Sequence, residues 1–380
     1  MKFLYFPVIL LACGANAVEL PSKSDTSLLK EVERAQKRGL AWLASQQEEN
    51  GSWRHHPAIT ALAVTAFLRS EHAQHPAVER GLKFILSHVR PNGAIFGGGE
   101  SDKYPNYSTA ICSMALLAAG KPEYREPILN ARRFLIGSQF DESRGVASTN
   151  ASYGGIGYGR RERPDLSNMQ WALEAIKMTE ALEKDPGKKE MELHWAKAVQ
   201  FLQRCQNLPA HNDQPWAQKA SDADLGGFIY MPGPPPVSFA DEEPKAPDAP
   251  LRSYGSMSYA GLKSYIYADL KRDDPRVVAA VNWLKRNYTL EENPNLGSQG
   301  LFYYYHTLAK ALTAYGEDIF VDAAGQKHDW RHELMKKLVG LQKFEGYWQN
   351  ENNRWMENDP VLVTSYSLLA LEILQSRRYP

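Results

Sequence analysis

An all-α toroid, with six outer and six inner helices (α6/α6) and long loop insertions at one mouth, is the fold this sequence predicts. Three observations carry the prediction. A unit of helix, Gly/Trp turn and second helix recurs along the chain. The first helix of each unit is amphipathic, whereas the second is built almost wholly of small and apolar residues. Runs with the period-2 alternation of a half-buried strand are missing, so no substantial sheet is expected.

The chain has 380 residues, with 44 basic and 44 acidic side chains. That balance gives no electrostatic reason to expect a nucleic acid or a strongly anionic surface as partner. Residues 1–17, MKFLYFPVILLACGANA, combine one lysine, a short apolar run and Ala15-Asn16-Ala17. They read as a secretory signal peptide cleaved after Ala17, with Cys13 as a second, lipoprotein-type reading. Residues 18–380 then form one toroid domain outside the cytoplasm, periplasmic or secreted. No later segment is long and apolar enough to span a bilayer. Cys112 and Cys205 would remain, as a disulfide or as two buried thiols. No CxxC or Cys/His cluster points to zinc, and neither a metal nor a cofactor is expected.

The first helices carry an aromatic-aliphatic step: Trp42-Leu43, Phe84-Ile85, Phe134-Leu135, Phe201-Leu202, Trp283-Leu284 and a degenerate Lys337-Leu338. Five residues after each first position stand Gln47, Val89, Gln139, Gln206, Tyr288 and Gln342. Two copies of Q-x-x-x-G-x-W are complete, at Gln47–Trp53 and Gln342–Trp348. Glycine permits a left-handed turn there, the Gln amide bonds free helix-end groups, and Trp covers the joint. The second helices are expected at 58–68, 108–119, 165–178, 256–268, 300–315 and 360–374. Helices with so little charge are surrounded by protein, whereas 28–47 carries six charged residues in its first eleven. Near-apolar helices inside and amphipathic ones outside close into a ring around a central cavity. Spacings of 42, 50, 67, 82 and 54 residues between successive steps place the extra length at Asp141–Arg163 and Asn207–Pro250. The second stretch includes the proline-rich loop 231–250 and reads as a lid or flap near the mouth.

These Q-x-x-x-G-x-W copies and inner-helix patterns resemble the prenyltransferase/squalene-oxidase repeat, from about Leu28 to Leu374. That superfamily holds triterpene cyclases of the squalene–hopene type, protein prenyltransferase β-subunits and thioester-containing complement domains. The resemblance implies the toroid, and its activities have to be sought residue by residue. Triterpene cyclases protonate an alkene with the middle Asp of a D-x-D-D motif that follows a G-G-x-G-[FY] turn. Here Gly154-Gly155-Ile156-Gly157-Tyr158 is followed by Asp165-Leu166-Ser167-Asn168, so Ser167 replaces the middle acid. The zinc site of the prenyltransferases is echoed only by Tyr305-His306-Thr307, with Tyr254 and Ser256 roughly where Asp and Cys would stand. No thioester Cys–Gln pair is present. What the resemblance leaves is a terpenoid-type cavity for a small apolar ligand, an isoprenoid or other lipid, with an incomplete cyclase acid.

Asp165 and His306 are therefore the candidate catalytic groups, each weighed against a plain structural role as helix cap or buried histidine. Tyr107, Asn168, Tyr254, Tyr259, Tyr303, Tyr305, Asp359 and Tyr366 are the candidate ligand contacts, since they cluster on or near inner-helix starts. Aromatic walls of this kind stabilise cations or stack sugars. Asp222 and Asp224 read as a turn, and His55-His56 as a polar loop. A non-catalytic binding or scaffold protein is the alternative function. A glycan-active α/α barrel is the third, and it requires two carboxyls across a cleft.

Overall fold

Near-apolar sequence and first-turn prolines place the second helix of each unit almost where the sequence puts it. The computed structural model describes residues 23–97, 103–159, 163–183 and 193–376. The expected signal segment and Cys13 lie outside these. Twelve α-helices occur among the described residues. The odd-numbered ones are α1 (Lys23–Ser45), α3 (Pro76–Ser87), α5 (Arg125–Ile136), α7 (Trp195–Cys205), α9 (Pro275–Arg286) and α11 (Trp330–Leu341). The even-numbered ones are α2 (Pro57–Leu68), α4 (Pro105–Ala119), α6 (Leu166–Thr179), α8 (Gly255–Tyr267), α10 (Leu301–Tyr315) and α12 (Pro360–Gln375). Proline at the first turn starts α2, α4 and α12, where its missing N–H costs nothing. The one sheet among the described residues is a two-stranded ribbon, β1 (Phe320–Val321) against β2 (Lys327–His328), before α11.

The even-numbered helices pack in a closed cycle: α2 on α4, α4 on α6, α6 on α8, α8 on α10, α10 on α12, and α12 back on α2. The odd-numbered helices back onto them, with α1 bridging α11 and α12 at the closure. The difference between the two sets is plain in burial. In α2 every residue from Pro57 to Phe67 is buried, whereas α9 buries only one face, through residues such as Val277, Val281 and Leu284.

The recurring glutamine is the joint of this architecture. Gln47 Nε2 donates to the Gly51 carbonyl at 2.8 Å and to the Ala77 carbonyl of α3 at 2.9 Å. Gln139 makes the same pair of bonds to Gly154 and His194, and Gln206 to Gly226 and Arg276. Gln342 repeats it with Gly346 and Ala35, which ties the last turn to the first helix. The partners are thus carbonyls in or next to another odd-numbered helix and of the turn glycine, so the amide links neighbouring units instead of sealing its own helix end. In the third and fourth copies the loop length lies between Gln and Gly, which hides the motif in the sequence. The glycine is required because the turn runs against the next odd-numbered helix. At Gly154, φ is +84° and a Cβ would stand 1.8 Å from the Lys197 carbonyl oxygen. Trp53 and Trp348 are fully buried, and their indole N–H groups donate to Leu43 and Leu338 carbonyls.

Cys112 on α4 and Cys205 on α7 are buried and unpaired, so the thiol reading holds. No described helix is long and apolar enough to cross a membrane.

Candidate functional site

The first two turns of all six even-numbered helices supply residues to one cavity of about 230 Å³. Ala58, Ile59 and Leu62 come from α2, Tyr107 and Ile111 from α4, Ser167 from α6, Ser256 and Met257 from α8, Tyr303 from α10, and Leu362 and Tyr366 from α12. His56 and Tyr254, at the caps of α2 and α8, complete this part of the wall. Loops supply the rest: Tyr104, Tyr158 and Tyr230, Phe239 of the proline-rich loop, and Trp355, Met356 and Glu357 before α12. Seven tyrosines, one phenylalanine and one tryptophan thus face one chamber.

The wall is organised by ring contacts and a few hydroxyl bonds. Phe239 packs against Tyr230 at 4.6 Å between centroids and against Trp355 at 5.3 Å. These contacts seat Phe239 of the proline-rich loop in the cavity wall. The hydroxyls of Tyr158 and Tyr230 lie 3.1 Å apart. The Tyr303 hydroxyl accepts from Gln170 Nε2 at 3.0 Å and is 3.2 Å from Ser167 Oγ. Burial raises the hydroxyl pKa of Tyr107, Tyr158, Tyr230 and Tyr303, so these phenols stay protonated.

Glu357 is the one acid in the described lining. It is buried at 1% exposure and accepts the N–H groups of Phe302 and Tyr303, which open α10. Asn350 Nδ2 donates to the same carboxylate at 2.7 Å. Burial raises its pKa, and these donors partly oppose the shift. The loop that delivers it is unusual. Trp355 (φ 55°) and Met356 (φ 63°) both adopt the left-handed region, and both are exposed at the mouth.

The two catalytic candidates lie behind this wall. Asp165 caps α6 by accepting from Asn168 N at 2.9 Å and from Asn168 Nδ2 at 2.8 Å. Burial pushes its pKa up to about 7, against the lowering effect of Asn168 and Tyr230. It is therefore a weaker acid than an ordinary carboxyl group. His306 is sandwiched between Trp171 at 5.6 Å and Tyr366 at 5.3 Å, and neither ring nitrogen has a hydrogen-bond partner among the described residues. Burial holds it neutral.

Beneath this layer the ring is closed by charge. Glu174 of α6 bonds Lys263 of α8 and Lys310 of α10, both at 2.8 Å, with all three side chains buried. Burial works against the Glu174 carboxylate, but the two ammonium groups outweigh it and keep the group ionised. One negative charge cannot balance two buried positive ones, and burial lowers Lys310 to about 7. Lys310 Nζ also sits 4.2 Å from the Trp171 ring centroid.

Of the ten sequence candidates, Tyr107, Tyr254, Tyr303 and Tyr366 line the cavity; Asp165, Asn168, Tyr259, His306, Tyr305 and Asp359 do not. Asn168 is spent on Asp165. Tyr259 packs on Tyr304, and the Tyr305 hydroxyl donates to the Leu290 carbonyl. Asp359 caps α12 and pairs with Arg54 at 2.8 Å. Asp224 accepts from Ser221 Oγ and Ser253 N, a turn role. Glu357, Trp355, Phe239 and the loop tyrosines are what sequence reasoning missed. Their only signal is aromatic and apolar residues stranded in polar loops, such as Trp355-Met356 after Asn352-Asn353-Arg354.

No family model and no curated protein matches the chain. Solved structures do. The apo type II terpene cyclase MstE from Scytonema has a TM-score of 0.54 at 13% identity, over 90% of this chain and 98% of that one. A variant of that enzyme bound to geranylgeranyl dihydroxybenzoate gives 0.52 at 13% identity, over 92% and 99%. A polysaccharide lyase gives 0.53 at 11% identity, over 92% and 98%. At such identities the likeness shows the α/α-toroid fold, which cyclases and glycan-active enzymes share.

Proposed function

We propose that this chain is an exported, terpene-cyclase-like or prenyltransferase-like toroid protein of six inner and six outer helices that holds a small apolar ligand, of isoprenoid or lipid type, in its central cavity. The long insertions stand at the mouth, and the signal segment sends the chain out of the cytoplasm. The observation that carries the reading is the wall itself: nine aromatic rings from helix starts and loops around one chamber, with a single carboxylate. Burial of an apolar ligand there yields roughly 25 cal/mol per Å² of apolar surface removed from water. The volume sets the ligand's size. A cavity of ~150 Å³ takes benzene, so one of about 230 Å³ suits roughly ten non-hydrogen atoms.

Cyclisation started by alkene protonation is not part of this proposal. That step needs an unusually strong acid; Ser167 stands where the middle Asp would, and Asp165, the acid left in that stretch, is shifted the opposite way. The non-catalytic binding protein is thus the form of the reading we favour. The glycan-active reading shares the fold. Hydrolysis asks for two carboxyls flanking the scissile bond, and Glu357 is the only one in the described lining. Native mass spectrometry of the exported protein, with organic extraction of what it carries, tests the proposal. A co-purified apolar compound of the stated size is expected. An empty cavity that also fails to bind added isoprenoid alcohols would overturn it.

A further inference from the structure

The aromatic chamber contains a charge pattern that an apolar ligand alone does not use. Electron-rich ring faces attract a cation, and the attraction grows when the site is dry. Glu357 adds a buried carboxylate held in the wall by the N–H groups of Phe302 and Tyr303 and by Asn350. No lysine or arginine belongs to the described lining. The buried cations Lys263 and Lys310 are spent on Glu174. Trp171, which both lysines approach, meets the cavity-lining Tyr107 edge-on. Arg354 already lies over Phe239 at 4.9 Å and over Trp355 at 4.8 Å, so these two rings already accept a guanidinium.

A wall of this kind serves a cation formed in place or one that arrives charged. Forming it in place requires an acid stronger than Asp165, which is buried behind the wall. We infer that the cavity is a site for a ready-made organic cation of roughly ten non-hydrogen atoms, a quaternary or alkylated ammonium carried on an apolar body, with Glu357 as its counter-ion. This rests on the cavity reading above and narrows its ligand class.

Two isosteres separate the inference from the reading beneath it. Benzyltrimethylammonium and neopentylbenzene have the same shape and differ in one atom and one charge. Each is titrated into the full-length exported protein, and binding is followed by tryptophan fluorescence and thermal shift. The cation is expected to bind at least tenfold more tightly. Glu357→Gln should weaken the cation about tenfold or more and leave the hydrocarbon within twofold. Trp355→Leu, at an exposed position that does not endanger folding, should also weaken the cation selectively. Equal binding of the two, or tighter binding of neopentylbenzene, overturns the cation inference and leaves the apolar cavity standing. Selective loss of neither ligand on Trp355→Leu and Glu357→Gln overturns the assigned residues. Failure of both probes to bind overturns the cavity reading as well.

Discussion

Asp165 shows how one residue type supports two different jobs. Its position after Gly154–Tyr158 invites the cyclase comparison, and its hydrogen bonds make it a cap. The pKa direction yields a test. An acid raised from its ordinary value to about 7 keeps its proton in the folded state after the unfolded chain has lost it. Between pH 4 and pH 7 the unfolded state therefore binds fewer protons, and this group makes stability fall as pH rises. Asp165→Asn keeps a good cap and removes the ionisation. Relative to the wild type, the variant should gain roughly 1–4 kcal/mol between pH 4 and pH 7, measured by urea unfolding at each pH. An identical pH profile in both proteins would contradict the assignment. At Glu174 the expectation is the reverse. Glu174→Gln strands two buried ammonium groups and should cost about 3–5 kcal/mol, whereas Lys310→Met should cost less, because Lys263 then keeps the carboxylate to itself.

Among helices and turns, the informative comparison is between two glycines with similar backbones. Gly154 and Gly145 have φ of +84° and +72°, but only Gly154 has a neighbour where a Cβ would go. Gly145→Ala should cost about 1 kcal/mol, the penalty of the dihedral alone. Gly154→Ala should cost about 2–4 kcal/mol, since the turn must move off α7. Chemical denaturation of the two variants separates the terms. The same scale explains which tyrosines were legible. Tyr303 and Tyr305 are two positions apart on α10, so they point to nearly opposite sides. Their composition is the same, and only the packing of α10 against α8 and α12 decides that Tyr303 faces the cavity.

For the whole molecule, closure of the ring has a thermodynamic consequence. An open repeat array frays from its ends, because terminal units lack one neighbour. Here α12 packs on α2 and α1 bridges α11 and α12, so the even-numbered helices have no free end. Unfolding followed by far-ultraviolet circular dichroism and by tryptophan fluorescence should give one coincident transition. Removing residues through Ser45, and α1 with them, should split or broaden it, because Gln342 then loses its Ala35 partner and Trp348 loses part of its cover.

The sequence by itself determined the six near-apolar helices to within about three residues, the division of the chain into apolar and amphipathic helices, and the two complete Gln–Gly–Trp copies. Each of these is written in local composition and period, which a single chain displays. It also determined that helix starts would gather aromatic residues, and Tyr107, Tyr254, Tyr303 and Tyr366 are read directly from that rule. Only the tertiary structure decided the chamber's chemistry. Glu357, Trp355, Phe239, Tyr158 and Tyr230 come from loops whose sequence has no period, and their distances to the inner helices depend on ring closure. Burial did the rest: the same carboxyl group is a cap at Asp165, the centre of an ion cluster at Glu174 and a cavity wall at Glu357, because each meets different partners once water is gone.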